Sequence, residues 1–149
     1  MKKVLDKMIN IFIIFSLLFI EIVVVVGVFS RYILGQPIMG TEAVSRLGFI
    51  WLTFIGMAAV TRDHEHIRVT YFMDKLPKKA KSISEQVIDT IIIIFSVIVI
   101  KTSFSFMNIQ KGIITSSIGL PRTAFTLAIP IGLTLAVFYY VLQFKKSKK

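Results

Sequence analysis

Two groups of residues in this chain have types and spacings that could do chemistry. Asp63, His64, Glu65 and His66 place two imidazoles and two carboxylates at consecutive positions, while Glu21, Arg46 and Lys101 are ionisable groups set inside long apolar runs. The first group has the donor types of a divalent-metal site. On a helix, however, His64 and His66 point about 200° apart, whereas a helical zinc site needs two histidines four residues apart on one face. The spacing supports a polar hinge where an apolar segment ends. The second group matters because an ionisable side chain within a bilayer is costly and by default marks a partner, a pathway or a site.

Those runs must therefore be shown to be membrane segments. The chain has 149 residues, 55% of them hydrophobic, and a mean hydropathy of +0.79, more apolar surface than a soluble domain of this length can hide. Crossing roughly 30 Å of hydrocarbon takes roughly 20 predominantly apolar residues. Four segments meet that need: residues 8–30, 42–62, 86–107 and 124–144. The first has a longer apolar run than a signal peptide usually carries, and no small-x-small cleavage site follows it.

The connections are informative too. Gly35, Pro37 and Gly40 predict a turn that folds the first two spans into an antiparallel hairpin. After the second span, Val69, Phe72, Met73 and Leu76 recur at i, i+3, i+4 and i+7. This periodicity predicts a short amphipathic helix over residues 67–76, lying in the plane of the membrane interface. Pro77 suits the first turn of a new helix, so the third helix is expected to start soon after it. Pro130 predicts a kink in the fourth span. The fold class that results is an all-α integral membrane protein, one domain over residues 1–149, with four transmembrane helices plus an amphipathic interfacial helix between the second and third.

Net charge is +10, and its distribution points to a membrane surface rather than to nucleic acid. Thirteen basic residues lie before the first span, between the second and third, or after the fourth, whereas the other two connections hold only Arg31, Lys111 and Arg122. By the positive-inside rule both termini and the middle connection are cytoplasmic. Attraction to anionic lipid headgroups accounts for the excess. With no cysteine, the chain has no disulfide, no thiolate nucleophile and no Cys-based metal site. Nothing else in it resembles a catalytic or cofactor-binding constellation, so the reading is that it is not an enzyme and takes no cofactor.

The intramembrane charges suggest two pairs. Glu21 and Lys101 lie 13 and 14 residues beyond Met8 and Val87, and their matched depth along two outward-running spans makes them candidates for a buried ion pair. Glu42 and Arg46 are four residues apart on one helical face. Trp51 sits at mid-span rather than in the interfacial aromatic belt, which suggests helix packing or a protein partner.

The runs "SRYILG", "TEAVSRLGFIWLTFIGMAAVTRDHEHIRV" and "SSIGLPRTAFTLAIPIG" together resemble the small membrane subunit of tripartite ATP-independent periplasmic (TRAP) transporters, the DctQ-like family. The matching residues are Arg31, Tyr32, Glu42, Arg46, Trp51, Gly56, the run His66 to Val69 with Arg68, and then Gly119, Pro121, Pro130 and Gly132. The chain departs from the family at Gly40, Thr41, Glu42 and Ala43, where many members carry an aromatic residue and two adjacent acids. It departs again at Arg122 and Thr123, in place of an aromatic cluster.

The resemblance implies a bacterial inner-membrane subunit that braces a large multi-span partner. That partner would move an organic acid, such as a dicarboxylate or a sialic acid, with sodium, and a periplasmic substrate-binding protein would deliver it transiently. The chain's own pattern agrees, having no broken-helix repeat of the kind that builds a midplane substrate site. A rival reading is a stand-alone four-helix multidrug exporter working through Glu21, but such an exporter needs neither the long middle connection nor the motif set.

The charge asymmetry generates a test of topology. Single cysteines at Gln36 and Ser116 should react with an impermeant thiol reagent applied outside intact cells, and one at Ser82 should not; the opposite labelling pattern would invert the orientation.

Overall fold

A computed structural model of the protein describes residues 2–62 and 78–147. The expected interfacial helix, and with it His66, Arg68 and the Asp63 to His66 run, lies outside the described residues. The long helices are α1 (Lys2–Tyr32), α2 (Thr41–Arg62) and α3 (Lys78–Ile109); a short α4 (Thr123–Thr126) then leads into α5 (Ala128–Ser147). Four segments among the described residues are long and apolar enough to cross a membrane: Val4–Tyr32, Thr41–Arg62, Thr90–Ile109 and Thr123–Leu142. The architecture is the all-helical one the apolar runs imply.

Local chemistry explains the helix ends. Gly40 has φ +96°, a left-handed conformation that side chains resist, and the first turn of α2 begins there with Val44 N–H donating to the Gly40 carbonyl at 2.9 Å. Glu42 in that turn complements the helix dipole. α3 begins at Lys78, directly after Pro77, as expected. α1 begins earlier than the apolar run, because the mixed, charge-bearing stretch from Lys2 to Lys7 continues the helix beyond the hydrocarbon-length segment.

The fourth span is divided. α4 ends at Thr126, and Pro130 lies three residues into α5 with no N–H to offer the Thr126 carbonyl. The expected kink therefore takes the form of an interruption at Leu127, whose own N–H still reaches the Thr123 carbonyl at 2.9 Å.

α2 is the central element. It packs most extensively on α5 and next on α1, while α3 lies against α5. The core, at the end that holds the chain termini, is formed by Ile9 of α1, Ile55, Ala58 and Ala59 of α2, and Ala136 and Tyr139 of α5. At the opposite end the two connections meet: a Cβ at Gly40 would lie 3.0 Å from the Ser117 carbonyl oxygen. Small residues set the helix spacing. Ser96 and Ser103 are buried positions of α3, and each donates its hydroxyl to its own i−4 carbonyl, at 2.7 and 2.8 Å.

The tightest approach is between α5 and α2. A Cβ on Gly132 would sit 2.5 Å from both the Cβ and the carbonyl oxygen of Phe54, so glycine is the residue that lets these backbones touch. Gly56 differs, with nothing within 4 Å of the corresponding position. Gly132→Ala is expected to lower the thermal unfolding midpoint of the detergent-solubilised chain, by about 1–3 kcal/mol of overpacking. Gly56→Ala should leave it unchanged or slightly raised.

Candidate functional site

The sequence-predicted residues that the structure gathers are at the loop end of α1 and α2. Ser30, buried at the end of α1, holds the connection closed: its hydroxyl donates to the Gln36 carbonyl, and its own carbonyl accepts the Gln36 N–H at 3.3 Å. Thr41 donates its hydroxyl to the Ile38 carbonyl at 3.1 Å, and Ser45 donates to the Thr41 carbonyl at 2.8 Å. These bonds set the start of α2 beside the end of α1. Arg31 and Tyr32 then face Glu42 across a cleft of about 290 Å³, whose walls include Val24, Val28 and Ser45.

Glu42 and Arg46 form the expected pair, Nη2 to Oε1 at 2.8 Å. Their side chains remain 80% and 66% exposed, so the bond neutralises charge at the surface and contributes little to holding the fold. Beyond the pair, a second open cleft of about 430 Å³ runs along α2 past Ser45, Phe49, Thr53 and Phe54. Both clefts share Glu42 and Ser45. At helical spacing, Glu42, Arg46, Phe49, Thr53 and Gly56 fall on one side of α2. Phe49 is exposed there, and no described atom lies within 4 Å of a Cβ position at Gly56. Among the described residues, none covers this side of α2.

Trp51 points elsewhere. Its indole N–H donates to the Ala124 carbonyl at 3.2 Å, and its ring packs on the core. It joins the second span to the start of the fourth. Pro121 lies in the connection after α3, bridged to Ile114, with Arg122 N–H bonded to the Ile113 carbonyl at 3.0 Å. Nearby, Thr126 donates to Gln110 Oε1 at 2.8 Å and ties α4 to the end of α3.

Glu21 and Lys101 are not brought together. α1 packs on α2 and α3 packs on α5, and both side chains are exposed on their outer surfaces. The sequence matched their depth, but the helices that carry them pack on different partners, and each side chain is exposed. Lys101 lies eight residues before the end of α3, about 12 Å. It shares a face with the exposed Ser105 and Asn108, along which its amino group can extend toward that end.

One constellation had no counterpart in the sequence reading. At the terminal end Tyr139, 1% exposed, donates its hydroxyl to Asp6 Oδ1 at 2.6 Å. Arg62 donates to the Asp6 carbonyl at 3.2 Å and to Asn10 Oδ1 at 2.9 Å. This clamp joins α1, α2 and α5 through partners up to 133 residues apart. The only local signal was the occurrence of Asp6, Asn10 and Arg62 at the edges of apolar runs.

The family model for the DctQ component of tripartite ATP-independent periplasmic transporters matches residues 20–147. A Haemophilus influenzae protein assigned as a TRAP transporter small permease is 29% identical over 79% of this chain and 73% of its own length. The sialic acid TRAP transporter small permease SiaQ of Vibrio cholerae is 27% identical over 73% of the chain, and the ectoine TRAP transporter small permease TeaB of Halomonas elongata is 26% identical over 78%. In these two the match spans 63% and 62% of the relative. A longer protein, the sialic acid TRAP transporter permease SiaT of Haemophilus influenzae, is 20% identical over 88% of this chain, which corresponds to 22% of SiaT.

The clamp yields a prediction. Tyr139→Phe removes the hydroxyl from Asp6 and should cost about 1–3 kcal/mol, read as a lower thermal midpoint of the purified chain. Thr53→Ala, on the free side of α2, should shift that midpoint far less.

Proposed function

The chain belongs to the DctQ component of the tripartite ATP-independent periplasmic transporters, and from that premise we propose that it braces the transporter in the membrane while a larger permease moves the solute. The observation that carries this reading is the side of α2 left uncovered by the described residues, with a charge-neutralised rim at Glu42 and Arg46, an exposed Phe49 and no described atom within 4 Å of a Cβ position at Gly56. A helix of a partner can lie against such a surface. Small residues permit close backbone approach in a bilayer, and an already paired carboxylate and guanidinium avoid bringing an uncompensated charge into the contact.

The solute in this proposal is an organic acid taken up with sodium, delivered by a periplasmic binding protein that docks transiently. Relatives named for sialic acid and for ectoine support a family with several solutes. Specificity then resides in the partners. The brace sits in the bacterial inner membrane with both termini cytoplasmic, where the basic residues of the termini and of the middle connection engage anionic lipid.

Reconstitution tests this. The purified chain alone in liposomes should move no sialic acid or dicarboxylate under a sodium gradient, and it should co-purify with a co-expressed large TRAP permease. Arg46→Leu, which leaves Glu42 unpaired at the contact, should reduce recovered complex several-fold. Solute movement by the chain alone, lost on Glu21→Gln, would support the exporter reading instead.

A further inference from the structure

Glu21 is the side chain for which the fold supplies no explanation. It lies eleven residues before the end of α1, about 16 Å along the axis, so it is near mid-bilayer when α1 spans the membrane. It is exposed and, among the described residues, has no hydrogen bond or ion pair. Its neighbours on the same face, Leu17, Leu18, Val25 and Val28, are all exposed apolar residues. Lys101 is closer to a helix end and has polar residues leading toward it, whereas Glu21 is short and surrounded by hydrocarbon. Charged or neutral, a carboxyl group in that setting lacks the hydrogen bonds that water would give it.

The rest of α1 is similarly uncovered. Only 6% of its most apolar stretch is buried inside the chain, against 44% for the fourth span. The Glu21 face is also continuous with the free side of α2, because Val24 and Val28 share the cleft between the two helices with Glu42 and Ser45.

We infer that the outer face of α1 centred on Glu21 is a docking surface for a transmembrane helix of the large permease, one that presents a lysine or arginine to Glu21 at mid-bilayer depth. Charge complementarity selects the partner's chemistry. A second copy of this chain is the poorer fit, since a symmetric contact through this face would place Glu21 against Glu21 in a medium of low dielectric. The large permease is the better fit because 88% of this chain matches 22% of SiaT, a permease with most of its length outside the match. A stretch similar to this chain is thus found within a single, longer permease polypeptide. The inference rests on the subunit reading above and adds to it the residue that fixes register between the two proteins.

The test uses the full chain co-expressed with the large permease. Glu21→Leu should reduce recovered complex about tenfold through loss of one partner of a buried pair. The thermal midpoint of the isolated chain should not fall, since Glu21 bonds to none of the described residues. Glu21→Lys should also lose the complex, and replacing one intramembrane lysine or arginine of the large permease by glutamate should restore it. A benzophenone side chain at Val25 should crosslink to the large permease. If wild-type chain and permease fail to associate at all, the subunit reading falls and this inference with it. If they associate and Glu21→Leu assembles as well as wild type, with no crosslink from Val25, the inference is overturned while the subunit reading stands. A Val25 crosslink to a second copy would overturn the choice of partner.

Discussion

Backbone contact between α2 and α5 is the constraint on which the remaining architecture depends. In a bilayer, lipid tails are as apolar as leucine, so helices do not associate to escape water; they associate where they fit. Gly132 lets α5 rest on the backbone of α2 at Phe54. With that distance set, Ala58, Ala59 and Ala136 come close enough to share a core with Ile9 and Tyr139. Trp51 reaches the Ala124 carbonyl from the same side. α1 and α3 are added to this pair, one on α2 and the other on α5.

The two ends are secured differently. At the terminal end, three helices are joined by charged and hydrogen-bonded side chains, Asp6, Asn10, Arg62 and Tyr139, that would be unfavourable deeper in hydrocarbon. The loop end relies on backbone and hydroxyl bonds: Ser30 closes the first connection, and the loop at Ser117 rests on Gly40. Between these ends no described element covers the outer faces of α1 and α2, which hold the exposed Glu21, Glu42, Arg46 and Phe49.

How much of this was legible in the sequence follows from the range of each interaction. Helix number and approximate limits were readable because a bilayer demands a run of apolar residues of one length. The Glu42 to Arg46 bond was readable because i,i+4 spacing is local. Glu21 and Lys101 show the limit of that reasoning, since sequence position gives depth along a helix axis but not which neighbour the residue faces. Tyr139 looked like one more aromatic in an apolar run; its partner on α1 is 133 residues away, beyond any periodicity. The role of Gly132 depended on which helix would lie across it.

The order in which the chain is made gives the clamp a temporal meaning. α1 and α2 leave the ribosome first and can enter the membrane as a hairpin, yet two residues of the core that holds them, Ala136 and Tyr139, belong to α5. Asp6 therefore waits for a partner from the end of the chain, and the backbone at Phe54 waits for Gly132. The bundle closes only after α5 has been made. During that interval the hairpin is a pair of helices held mainly by each other, with its α5-binding surface open to lipid and to any other membrane helix nearby.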